Sequence, residues 1–93
     1  MPSATNQEVV AAVKNLEATA AKCGMDWETL LNTFWDMGNE CRRNEGDGAL
    51  ESVEAVISEF GDMVWDECRE IGITERVGYH TALNAFCIGY LTK

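Results

Sequence analysis

Four cysteines and one histidine are the side chains of this 93-residue chain best suited to nucleophilic or metal chemistry. Cys23, Cys41, Cys68 and Cys87 include no Cys-x-x-Cys pair, the spacing that structural zinc sites use. Each lies on or beside an apolar stripe, where a free thiol packs as a small hydrophobe. The expectation is reduced, buried thiols and no metal. An even cysteine count also fits a disulfide framework, but the N-terminal stretch MPSATNQEVV has neither the basic region nor the apolar run of a secretory signal. His80 falls in the apolar arc of the last helical segment with Asn84 one turn on, the setting of a satisfied core histidine. Cys87 is two turns further, about 10 Å along a helix, too far for a direct Cys–His pair. No Gly-rich phosphate loop, HExxH or Ser/His/Asp order is found. These features predict a protein that is not an enzyme and carries no cofactor.

Two acidic segments merit a closer look. From Arg43 to Glu54, the residues Glu45, Asp47, Gly48, Leu50 and Glu54 match the third, fifth, sixth, eighth and last positions of a calcium-binding EF-hand loop. Arg43 occupies the leading ligand position, where an oxygen is required, so a plain helix–loop–helix turn is expected. Glu51-Ser52-Val53-Glu54 resembles the Asp-Ser-Leu-Asp motif of acyl carrier proteins, which are also small, acidic and four-helical. The resemblance covers these residues only, with Val53 in place of the leucine. It implies a phosphopantetheine arm on Ser52.

The elements that must position these groups are helical throughout. Thr5 and Glu8 form a capping box. After them Val9, Ala12, Val13, Leu16, Ala20 and Cys23 recur at three- and four-residue steps, one stripe of a helix. Gly24 stops it. Asp26 caps a second helix whose apolar face is Trp27, Leu30, Leu31, Phe34, Met37, Gly38 and Cys41. Gly46-Asp47-Gly48 breaks it. A third helix presents Leu50, Val53, Val56, Ile57, Phe60, Met63, Val64, Cys68 and Ile71. Gly61 inside it predicts close contact with a neighbour, and Gly72 with Ile73 predicts a Schellman ending. Thr74 is the expected cap of the fourth helix. The predicted helices span residues 5–23, 27–44, 49–71 and 75–91. The short loops between them make sequence neighbours roughly antiparallel.

The fourth helix is apolar around most of its circumference, the pattern of a helix buried on several sides. Its remaining face gathers the small residues Gly78, Ala82, Ala85 and Gly89. That face either receives another helix of the same chain or joins two copies. The fold class read from these patterns is all-α: one compact four-helix domain with a largely buried C-terminal helix. A hydrophobic content of 46% argues against wholesale disorder.

Charge is the most uneven property of the chain. It holds 16 Asp and Glu against 7 Lys and Arg, a net charge of −9. Residues 26–70 carry 13 acids against Arg42, Arg43 and Arg69, while the flanking segments are nearly neutral. Such acidity opposes binding to phosphates or to an anionic membrane. On the third helix Glu51, Glu54, Glu59, Asp62, Asp66 and Glu70 lie away from the apolar arc. Glu59, Asp62, Asp66 and Glu70 step by three or four residues into one ridge. Asp36 and Glu40 point outward from the second helix. Like charges at this spacing repel by a few tenths of a kcal/mol per exposed pair. Two readings stay open: a solvated face that keeps a small protein soluble, or a surface for a basic partner. A helix advances only about 5.4 Å per turn, so imitation of a phosphate strand would need acids from two helices.

Trp65 falls on the polar side of the third helix, beside these acids. It is either an exposed binding anchor or a ring tucked under a loop or the first helix, and Trp is the residue most typical of binding hot spots. The resulting expectation is a small acidic helical module that binds a basic, nucleic-acid-binding site on a partner protein. It binds neither nucleic acid nor membrane itself. The profile is similar to that of the accessory inhibitors of phages and mobile elements, anti-CRISPR proteins among them, which implies action in the host cytoplasm. One alternative is a structural or regulatory homodimer joined through Gly78, Ala82, Ala85 and Gly89. The other is a carrier protein modified at Ser52.

Overall fold

Three of the four helices begin on a side chain that accepts a backbone N–H left free by the first turn. In the computed structural model, which describes residues 4–92, Thr5 Oγ1 accepts from the Glu8 N–H at 3.1 Å and opens α1 (Asn6–Lys22). Asp26 Oδ1 accepts from Thr29 N–H at 2.7 Å and opens α2 (Trp27–Glu45). Ser52 Oγ accepts from Ala55 N–H at 3.1 Å and opens α3 (Val53–Ile71). The third helix therefore starts later than its apolar periodicity predicts. Gly46–Gly48 tightens into a 3₁₀ turn, and residues 49–52 are non-helical. The fourth, α4 (Arg76–Leu91), lacks a side-chain cap. Thr74, the expected cap, instead gives its backbone N–H to Asn15 Oδ1 at 3.0 Å.

The glycine stops behave as expected. Gly24 and Gly72 both have positive φ, at 73° and 104°. Met25 N–H reaches back to Ala20 O, and Ile73 N–H to Cys68 O, the six-residue closure of a Schellman motif. Ile73 then packs into the core. The Gly72 carbonyl accepts from both Asn15 Nδ2 and Thr19 Oγ1, at 3.1 and 3.2 Å, which ties the α3–α4 turn to α1.

Helix α4 is the hub. It packs against each of the other helices, most extensively against α2, while α2 and α3 hardly touch. Leu16, Leu30, Phe34, Val56, Val64, Phe86 and Tyr90 form the centre of the core. Helix α3 runs antiparallel to α4, since Phe60 meets Phe86 and Tyr90 while Trp65 meets Tyr79.

Most of the small-residue face of α4 is filled by the chain's own elements. Gly78 abuts Ile73 and Leu16, and Ala82 is fully buried. Ala85 is half-buried. Gly89 lies against the backbone of Trp35 so closely that a Cβ there would stand 2.0 Å from the Trp35 carbonyl oxygen. Gly38 of α2 makes the reciprocal approach, its would-be Cβ 2.1 Å from Phe86 O. The two helices cross backbone to backbone.

Several assignments read from the helical wheel need correction. His80 is exposed rather than in the core, because α4 keeps one solvent stripe at Arg76, His80, Asn84 and Ile88. Cys23 and Val9 are exposed, and Trp27 is only half-buried. Val53, Ile57 and Met63 belong to an apolar arc wider than α4 can cover, and all three are exposed. Gly61 is buried, with the Tyr79 hydroxyl of α4 3.5 Å from its carbonyl oxygen, but no other helix approaches the place a side chain would take. A Cβ there would meet only Ile57 of its own helix, at an ordinary 3.6 Å.

Candidate interaction surface

The ridge acids Glu59, Asp62, Asp66 and Glu70 are all exposed on α3, as are Glu51 and Glu54 at its N-terminal end. Asp36 and Glu40 are exposed on α2. Helix α4 packs against both α2 and α3, while those two helices barely meet. The acids thus fall into two groups, and the α3 group is the larger. Glu8 with Arg76 forms the only ion pair among the described residues. That pair joins α1 to α4, and the Arg76 guanidinium holds the Glu8 carboxyl below its ordinary range. The ridge acids of α3, with Asp36 and Glu40 of α2, are therefore exposed without an ion-pair partner.

Trp65 stands beside the ridge and is 44% exposed. The side chain is an exposed surface group. Its ring meets Tyr79 edge-on, with centroids 4.4 Å apart and planes at 88°. Such edge-to-face pairs contribute about 0.5–1.5 kcal/mol beyond area burial. Tyr79 is fixed in turn by a long hydrogen bond from its hydroxyl to Gly61 O, at 3.5 Å. Burial, then the charges around it, including Asp62, push the Tyr79 phenol up from its ordinary value. The His80 ring lies 5.2 Å from Tyr79. Helix α4 thus supplies an aromatic backing that holds Trp65 half out of the surface. Periodicity makes α4 apolar around most of its circumference and offers no signal that Tyr79 would support Trp65.

Cys68 and Cys87 are buried, and desolvation pushes the Cys68 thiol up to about 11 and Cys87 in the same direction. Cys41 is half-buried and also raised, by desolvation and then by Glu40 and Glu45. Among the described residues no group of three His, Cys, Asp or Glu side chains is placed to hold a metal ion. The calcium-like segment is organised differently. Glu45 Oε2 accepts the Tyr90 hydroxyl at 2.8 Å, and that hydroxyl accepts from Leu50 N–H at 2.8 Å. This latch pins the α2–α3 connection to the buried Tyr90. Ser52 is exposed, with its oxygen engaged as the α3 cap.

No family model matches the chain, and no curated protein or solved structure is significantly similar to it.

Proposed function

We propose that this protein works by binding a partner protein with a basic surface, through the outer face of α3. Glu59, Asp62, Asp66 and Glu70 supply the charge and Trp65 supplies the anchor. The observation that carries this reading is the juxtaposition of an unpaired carboxylate ridge with a half-exposed tryptophan held edge-on by Tyr79. The unpaired charge costs stability inside the fold. Complementary charge on a partner removes that repulsion and speeds and orients encounter. An aromatic side chain already held in place loses little freedom on docking.

The basic site on the partner is one that otherwise binds nucleic acid, so the protein acts as an inhibitor or accessory factor by occupying it, as in the anti-CRISPR-like profile of phages and mobile elements. The α3 group, the larger of the two, carries the contact. The action is charge-steered occupation of the site by a compact body. The test is capture of nucleic-acid-handling proteins on the immobilised protein, followed by competition with nucleic acid. Capture should weaken as salt rises, be competed by nucleic acid, and fall at least ~10-fold in affinity for Asp62→Lys/Asp66→Lys. Binding that survives this double charge reversal, or a stable ternary complex with nucleic acid, contradicts the reading.

A further inference from the structure

The first two turns of α3 are left uncovered on the side that faces the core further along. Val53 and Ile57 are exposed there, whereas Val56, Val64 and Cys68 are fully buried. Opposite them Ile88 of α4 is 59% exposed, the largest value for any big apolar side chain in the fold. Between them lies a cleft of about 360 Å³ lined by Val53, Asn84, Cys87, Ile88, Leu91 and Thr92. An apolar cleft with a single amide and a single hydroxyl in its lining is poorly hydrated, and exposed apolar patches of this kind mark contact sites.

The charge around the cleft decides its occupant. The α4 wall carries no Asp, Glu, Lys or Arg from Val77 to Thr92. On the α3 side there is no Lys or Arg from Ala49 to Cys68, while Glu51 and Glu54 are exposed beside Val53. Among the described residues, Arg42 and Arg43 line an adjoining recess that shares Thr92 with the cleft, and Arg42 is engaged there by donating to Tyr90 O. A second copy of this chain would bring another −9 of charge and set acid against acid. We infer that the cleft receives the apolar face of a basic amphipathic helix from the protein partner, with that helix's Lys or Arg residues meeting Glu51 and Glu54. The inference rests on the protein-binding reading above and adds a second, apolar contact to it.

The test uses a synthetic Leu/Lys helix of about four turns, with leucines along one side, and a Gly/Lys peptide of the same charge. Val53→Ser/Ile88→Ser alters only exposed positions, so the fold is retained and is checked by circular dichroism. The wild-type protein should bind the Leu/Lys helix at least ~10-fold more tightly than the Gly/Lys peptide, and the double variant should lose that preference. Equal affinity for both peptides overturns the inference. So does a dimeric mass in light scattering that the same variant converts to monomer, since the occupant is then a second copy. If the cleft variant binds like wild type while Asp62→Lys/Asp66→Lys weakens binding, the cleft assignment falls and the ridge reading stands. If the cleft variant alone weakens binding, the ridge reading falls and the cleft stands.

Discussion

Helix α4 meets α2 and α3 in two different ways. At the α2 seam two glycines let the backbones touch, and polar side chains seal the end. Asn39 Nδ2 donates to Gly89 O and Thr92 O at 3.3 Å each, and Arg42 donates to Tyr90 O at 3.2 Å. At the α3 seam the contact is made by rings: Phe60 against Phe86 and Tyr90, and Trp65 against Tyr79. Backbone contact fixes two helices in one register and closes the crossing itself, leaving a recess at its end, at Asn39, Arg42, Arg43 and Thr92. Ring contact spaces the helices apart and leaves side chains such as Val53 and Ile88 partly uncovered. The difference assigns roles. The α2–α4 pair is the closed framework, and α3 is the element whose outer surface, with Trp65 and its acids, is exposed.

The largest test of this contrast is a single methyl group. Gly38→Ala or Gly89→Ala places a Cβ against a backbone carbonyl that cannot move without shifting a helix. Each should cost at least ~3 kcal/mol in urea unfolding, a large share of the stability of a domain this size. Gly61→Ala, on α3, adds the same methyl where only Ile57 of the same helix is near. It should stabilise by up to about 1 kcal/mol, through helix propensity alone. Equal effects at Gly38 and Gly61 would erase the distinction between the seams.

Between these in size lies Tyr90→Phe. It removes the donor to Glu45 and the acceptor for Leu50 N–H, at a cost of about 1–3 kcal/mol. It also carries a pH signature. Burial, reinforced by Glu45, raises the Tyr90 phenol above its ordinary value of 10.0, with Leu50 N–H and Arg42 opposing. A phenol whose folded pKa is raised contributes stability that is fully present below pH 10 and is lost as pH rises through the folded value. Cys68, at about 11, acts in the same direction. Wild-type stability should therefore begin to fall above pH 9, the ordinary value of the Cys68 thiol, and above pH 10 it should fall more steeply than that of Tyr90→Phe.

The glycines show how much of this was legible in the sequence. Gly24 and Gly72 follow apolar stripes and end helices, so their local meaning could be read directly. Gly38, Gly61 and Gly89 all lie inside helical stripes and look alike. Which of them touches another backbone depends on how α2 and α4 cross, a tertiary fact with no local signal. The exposure of Glu59, Asp62, Asp66 and Glu70 was legible from their three- and four-residue steps. Their separation from Asp36 and Glu40 was not, because a single helical wheel does not say which helix comes between. The start of α3 was misread since Leu50 continues the apolar rhythm through the glycine turn, although Ser52 offered a cap. His80 was misplaced because a helix packed on three sides still keeps one solvent stripe.

Both the fold and the functional reading depend on the claim that the α2–α4 pair is the closed unit and α3 the exposed one. Native-state amide hydrogen exchange of the free protein tests this directly. Amides around the crossing, from Gly38 to Asn39 and from Phe86 to Tyr90, should exchange only through global unfolding. Those of the first turns of α3, around Ile57, should open at distinctly lower free energy. Protection of α3 equal to that of the crossing, or faster exchange at the crossing than around Ile57, would contradict the account.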